Sequence, residues 1–208
     1  METSTLNVGE QNAVNFFAKY GLACERFTEQ EMRQGKTPDF RVFKGAEFVL
    51  YGEAKHIQED TWLDDQLKEA PPMTIVGGAR HDPAFNRLSG HIHEAAKQFQ
   101  AVNPGHEYPN VLVFTSSDRG CTFTDLIFTL TGNFYAETGA IDPIYKNVSE
   151  GRIRTEKYTI DLYVFKDDFP GGLGTEHIYF QNKGSKHYFR LCELLGSDPL
   201  THKLVPQS

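Results

Sequence analysis

The 208-residue chain lacks any run approaching the roughly 20 apolar residues of a membrane-spanning helix. Its polar start, METSTLNVGEQN, does not read as a secretory signal. Cysteine is scarce: Cys24, Cys121 and Cys192 are odd in number and far apart. That spacing argues against a disulfide frame or a zinc motif and sets the expectation of buried thiols in a reducing, cytoplasmic compartment. There is no Gly-rich phosphate loop, internal repeat or low-complexity tract. Serine or cysteine hydrolysis has no support either, since neither a nucleophile elbow nor a Cys/His signature is present. Positive charge is short, with 21 Lys and Arg against 28 Asp and Glu and a net charge of −7. Phosphate neutralisation supplies most non-specific affinity for nucleic acid, so tight sequence-independent binding is not expected. What remains is an ordinary composition, 39% hydrophobic and 24% charged, sufficient for one buried core in a single domain over residues 1–208.

The most informative stretch is Thr37 to His56. Its first alternating run places Asp39, Arg41 and Phe43 on one face, with Phe40 and Val42 on the other. The second, Phe48 to Lys55, places Val49, Tyr51, Glu53 and Lys55 together, and Lys44-Gly45-Ala46-Glu47 between them is a turn signal. A three-residue loop, Gly45-Ala46-Glu47, sets Lys44 against Phe48 and Asp39 directly across from Glu53. Their Cβ atoms are then about 4.5–5.5 Å apart, and like charges so placed destabilise a sheet. A cation or a proton is therefore expected there, with Lys55 next on the same face. A two-residue loop would break the pairing.

Pro38-Asp39 followed by Glu53-Ala54-Lys55 resembles the PD-(D/E)xK nuclease superfamily, which includes restriction endonucleases and archaeal Holliday-junction resolvases. The motif is short and degenerate, and its context of two strands, a tight turn and flanking helices gives it specificity. The resemblance implies an α/β, restriction-endonuclease-like fold: an αββαβ core whose mixed central sheet is flanked by helices. It also implies Mg²⁺-dependent phosphodiester hydrolysis, with Mn²⁺ as the alternative ion. Asp39, Glu53 and the Ala54 carbonyl would hold the metal, and Lys55 would position or activate the attacking water. In the family a glutamate on the preceding helix completes the metal site, and Glu10 is the best match. A Gln or Lys on the following helix touches the site or the phosphate, and here Gln98, Lys97 and His91 are the candidates. Plainer readings stand beside these: a salt bridge for Lys55, a capping box with Asn7 for Glu10, and a solvated helix flank for the other three.

Elsewhere, Asn7–Gly21 reads as a helix with Ala13, Val14, Phe17 and Tyr20 as its stripe, and Leu22–Phe27 as a short strand. Thr28–Lys36 reads as a polar loop. The acidic stretch Gln58–Glu69 suggests a short helix, and Ala70–His81 a long loop, either a flap beside the site or a solvated excursion. Asp82-Pro83 starts a helix that Asn103-Pro104-Gly105 stops, with Phe85, Leu88, Ile92, Ala95, Phe99 and Val102 as its stripe. His91 and His93, two apart on that helix, point away from each other and make no metal pair. Asn110–Ser116 is a buried strand expected to run parallel to the second of the hairpin strands after a right-handed crossover. Phe123–Thr131 follows as a helix. The core is expected over about 7–132, and an added hairpin (Tyr158–Phe165 with His177–Asn182) and helix (Lys186–Leu195) over 133–208.

The expected function is a nuclease acting on nucleic acid, DNA ahead of RNA, as an endonuclease, with a homodimer as one option and no membrane partner. The competing functions are a nuclease-fold module that binds nucleic acid or protein without cleaving, and a structural subunit pairing through the C-terminal hairpin edge.

Overall fold

The computed structural model of the chain describes residues 5–59, 61–77, 84–143, 153–169 and 174–197. It is an α/β structure built on a mixed six-stranded sheet of order β1-β2-β3-β4-β7-β8. In chain order the first half runs α1 (Val8–Ala18), β1 (Ala23–Arg26), α2 (Glu29–Gln34), β2 (Phe40–Lys44), β3 (Glu47–Ile57) and α3 (Trp62–Glu69). The second runs α4 (Ala84–Val102), β4 (Asn110–Ser116), α5 (Phe123–Thr131), a small β5–β6 hairpin (Asn133–Tyr135, Ile141–Pro143), β7 (Leu162–Asp167), β8 (Glu176–Phe180) and α6 (Tyr188–Leu194). Strands β1, β2 and β3 are antiparallel, β3, β4 and β7 run parallel, and β8 closes the far edge antiparallel to β7. No helix among the described residues is long and apolar enough to cross a membrane.

The sheet carries a core on each face. Ala13, Phe16 and Phe17 of α1 and Leu191 and Cys192 of α6 pack on Val42, Leu50, Val111, Val113 and Val164. On the other face Leu88, Ile92 and Phe99 of α4 and Leu126 and Leu130 of α5 cover Leu112, Phe114 and Phe165. Strand β4 faces both cores, so its sequence is an unbroken apolar run rather than an alternating one. Close packing of α1 falls at Gly52, where a Cβ would lie 3.0 Å from the Phe17 ring and 3.4 Å from Val42 Cγ2.

The hairpin reaches the expected register by an unexpected route. Its loop has two residues, not three: Lys44 pairs with Glu47 across Gly45-Ala46, with Gly45 at φ 62°. A register shift follows at once, Phe43 pairing with Phe48 but Val42 with Leu50. Val49 is the extra residue of this β-bulge, and it restores the pairing that the short loop would have lost. Phe40 then lies opposite Gly52, which brings Asp39 alongside Glu53. The bulge also corrects the face of Val49, which packs with Leu50 in the α1 core, while Tyr51 packs toward α4.

Other differences have local causes. Thr28–Lys36 is not a plain loop: Thr28 and Glu31 form a capping box that starts α2. Three antiparallel strands separate α1 from α4, the short strand read at Leu22–Phe27 followed by the two of the hairpin. Tyr158 belongs to a 3-10 turn, Glu156–Thr159, so β7 begins only at Leu162. The β5–β6 hairpin had no reading in the sequence. The C-terminal third joins the main sheet through β7, which pairs with β4. The expected helix start at Asp82-Pro83 and the end of the expected Ala70–His81 loop lie outside the described residues.

The approach of Phe17 to Gly52 yields a stability prediction. Gly52→Val forces a side chain into a filled contact and is expected to cost about 1–3 kcal/mol. The check is a lower midpoint in urea unfolding, with an unchanged slope.

Candidate active site

Strands β2 and β3 position the site because the register of the hairpin brings the head of one beside the end of the other. Asp39 N–H donates to Glu53 Oε2 at 2.8 Å, and Ala54 N–H donates to Asp39 Oδ2 at 2.8 Å. Each carboxylate thus holds the other's strand. Lys55, two residues beyond Glu53 on the same face, places Nζ 2.5 Å from Glu53 Oε1. Gln98 of α4 closes the network: its Oε1 accepts from Lys55 Nζ at 3.3 Å and its Nε2 donates to the Thr37 carbonyl at 2.9 Å. One amide side chain therefore ties the lysine to the segment that delivers Asp39.

The electrostatics are unbalanced. Glu53 is only 1% exposed, and burial, followed by the negative charge of Asp39, pushes its carboxyl up to about 8 despite the nearby ammonium of Lys55. Burial also raises Asp39; the Ala54 hydrogen bond and Lys55 oppose the rise, and the charge of Glu10 adds to it. With both carboxylates ionised beside one lysine the site would carry net negative charge in a poorly solvated place, and the raised Glu53 carboxyl avoids this without a metal. The Asp39 and Glu53 side chains are close enough to share a hydrogen bond, so one proton held between them is the protein's own relief of the repulsion. A hard divalent cation fits this all-oxygen donor set: it would relieve the same repulsion in place of that proton.

The remaining expected site residues are distributed unevenly. Glu10 is buried on α1, where Oε2 accepts the Asn7 N–H at 2.8 Å in a capping box and Oε1 accepts from Arg26 Nη2 at 2.8 Å. Both of its oxygens are therefore engaged by the protein, although its charge is felt at Asp39. Lys97 points along the exposed flank of α4 to Glu94, which Lys36 also binds at 3.0 Å. His91 packs edge-on against Phe114, the β4 partner of Lys55, and so lies on the same side of the sheet as the network. His93 turns elsewhere, with Nδ1 2.7 Å from Glu156.

Sequence reasoning missed Arg26, which no motif marks, and the Thr37 carbonyl, which no side-chain pattern could reveal. It also missed the one group of at least three His, Cys, Asp or Glu ligand atoms found within 4.8 Å of one another among the described residues: His106, Asp161 and His187. The three come from segments far apart in the chain, so no local spacing announces them.

Compared with models of known protein families, with curated proteins and with solved structures, the chain matches none. The functional reading therefore stands on geometry and chemistry.

The raised Glu53 carboxyl has a sign that can be worked out. Below about pH 4.5 Glu53 is protonated folded or unfolded; as pH rises toward 8 the unfolded chain loses a proton that the folded chain keeps. Metal-free stability should fall across that window, by on the order of a few kcal/mol, and level off above it. Glu53→Gln should remove this part of the slope. Thermal unfolding in chelator-treated buffer across that pH range checks it, and an equal slope in parent and variant would contradict it.

Proposed function

We propose that the chain is a metal-dependent nuclease of the PD-(D/E)xK type with a restriction-endonuclease-like core. The observation that supports this best is the pairing of Asp39 with Glu53 across the β2–β3 hairpin beside Lys55. A sheet that needed only stability would gain nothing from two opposed, poorly solvated carboxylates.

Asp39, Glu53 and the Ala54 carbonyl would hold Mg²⁺, or Mn²⁺ in its place. The bound ion would lower the pKa of a water and neutralise charge building on the phosphate. Lys55 would meet the same phosphate as a point charge, swinging from Glu53 when substrate arrives. Gln98 holds Lys55 and the Thr37 carbonyl together, so it fixes the distance between the ammonium and the Asp39 strand. Glu10 caps α1 and pairs with Arg26 in this proposal, and its negative charge keeps the pocket attractive to a cation. His91 and Lys97 extend the α4 flank along which a phosphate backbone could run. The acidic net charge disfavours broad electrostatic capture, so a DNA substrate chosen by shape suits the chain better than indiscriminate binding.

A second reading, a nuclease-fold module that binds without cutting, is favoured by Glu53 having both oxygens satisfied within the protein. One experiment separates the two. The chain is incubated with supercoiled plasmid, single-stranded DNA and RNA in Mg²⁺, Mn²⁺ or EDTA, beside Asp39→Ala and Lys55→Ala. The nuclease reading expects metal-dependent cleavage that falls by about 100-fold or more in either variant, the scale of a lost electrostatic stabiliser. Gln98→Ala is expected to lose about 10-fold, as a positioning residue that leaves the charges in place. Equal cleavage by all variants would mean contamination and remove the assignment. A band shift without cleavage would favour the binding module.

A further inference from the structure

We propose that His106, Asp161 and His187 form a second metal site, separate from the Asp39–Glu53 pair and suited to a late first-row divalent ion such as Zn²⁺. It goes beyond the nuclease reading and does not depend on it. The three ligand atoms lie within 4.8 Å of one another. His106 Nε2 is 2.7 Å from Asp161 Oδ2, and the two imidazole rings have centroids 4.9 Å apart. His187 Nε2 donates to the His106 carbonyl oxygen at 2.9 Å, which leaves the lone pair of the neutral ring on Nδ1. In a tetrahedral zinc site, ligand atoms stand roughly 3.3 Å apart, so side-chain movements of about an ångström complete the coordination.

Two features beyond the clustering point to a built site. Asp161 is 5% exposed, yet among the described residues its ion-pair partner is an imidazole rather than a lysine or arginine. Its Oδ2 also accepts the Asn110 N–H at 2.9 Å and its Oδ1 accepts from Ser185 Oγ at 3.2 Å, which fixes the carboxylate as outer partners fix a metal ligand. His106 adopts a left-handed backbone at φ 47°, an unfavoured conformation for a side-chain-bearing residue. Buried Asn103 holds it there: the His106 N–H donates to the Asn103 carbonyl at 2.9 Å, and Asn103 Oδ1 accepts the Glu107 N–H at 2.9 Å. Ser185 orients the third ligand by accepting the His187 N–H at 3.1 Å.

Two imidazoles and one carboxylate are a donor set for Zn²⁺ and its neighbours rather than for Mg²⁺. Three protein ligands leave one coordination position open. His187 also lines an open cleft of about 570 Å³ with Phe48, Tyr108, Lys186 and Arg190. Once bound, the ion would stitch the α4–β4 loop to the start of β7 and to the turn before α6.

The test uses the full chain carrying Asp39→Asn and Glu53→Gln, so that the first site cannot contribute. After EDTA treatment and desalting, this protein is expected to take up one equivalent of Zn²⁺ by elemental analysis and calorimetry, with a rise in Tm. His106→Gln and His187→Gln should each weaken binding at least about 10-fold, whereas His177→Gln should not. Co²⁺ should give the intense visible absorption of a low-coordinate site. Absent uptake, affinity unchanged in both ligand variants, or the weak spectrum of six-coordinate Co²⁺ would overturn the proposal. If a ligand variant fails to fold, the Co²⁺ spectrum of the parent background decides.

Discussion

The sheet of this protein is organised around a carboxylate that it ought not to bury. Glu53 is in the middle of β3 at 1% exposure, held by the backbone of Asp39 and by Lys55. Every structural feature nearby serves that placement. The bulge at Val49 restores the register, Gly52 admits the Phe17 ring, and Gln98 joins α4 to the strand that precedes Asp39. Burial of a charge is strongly unfavourable unless it is paired. A single lysine shared by two carboxylates pairs only part of it.

The other buried charges make the contrast clear. Asp118 is matched by Arg87, Glu10 by Arg26, and the Lys157 ammonium by the Leu130 carbonyl at 2.5 Å. These are closed local solutions in which a fixed partner answers each charge. Asp39 and Glu53 share one lysine, and Asp161 is paired with one histidine, which is charged only when protonated. Both Glu53 and Asp161 are buried, and at both places we propose that a cation from solution binds. The two differ in donor chemistry, hard oxygen at one and imidazole nitrogen at the other, so the ions proposed for them differ.

Much of the fold was legible because periodicity and end signals agreed. Asn110–Ser116 and Phe123–Thr131 match their elements residue for residue, and α1 starts at the capping box read from Asn7 and Glu10. The hairpin was legible for a partly mistaken reason. Alternation predicts which residues share a face but is blind to a bulge, and here a shorter loop and an inserted residue cancelled. Helix α2 escaped because its Thr28–Glu31 box lies in a stretch with no apolar stripe, so the cap alone carried the signal. Strand β7 was started too early because Tyr158 and Ile160 alternate as a strand would, while the 3-10 turn is fixed by tertiary contacts such as the Tyr163 hydroxyl donating to the Lys157 carbonyl at 3.1 Å.

The same logic explains which site residues the sequence could indicate. Asp39, Glu53 and Lys55 are close in the chain and bound by the period of a hairpin, so spacing alone brings them near one another. Gln98 is 43 residues from Lys55, and only the α4 crossover back over the sheet makes them neighbours. His106, Asp161 and His187 need two further returns of the chain, through β7 and then the turn into α6, before they meet. Each added return removes local signal while leaving the chemistry intact. A buried aspartate with no fixed cation is therefore as informative in the folded chain as a recognisable motif is in the sequence, because the energetic demand for a partner is the same in both.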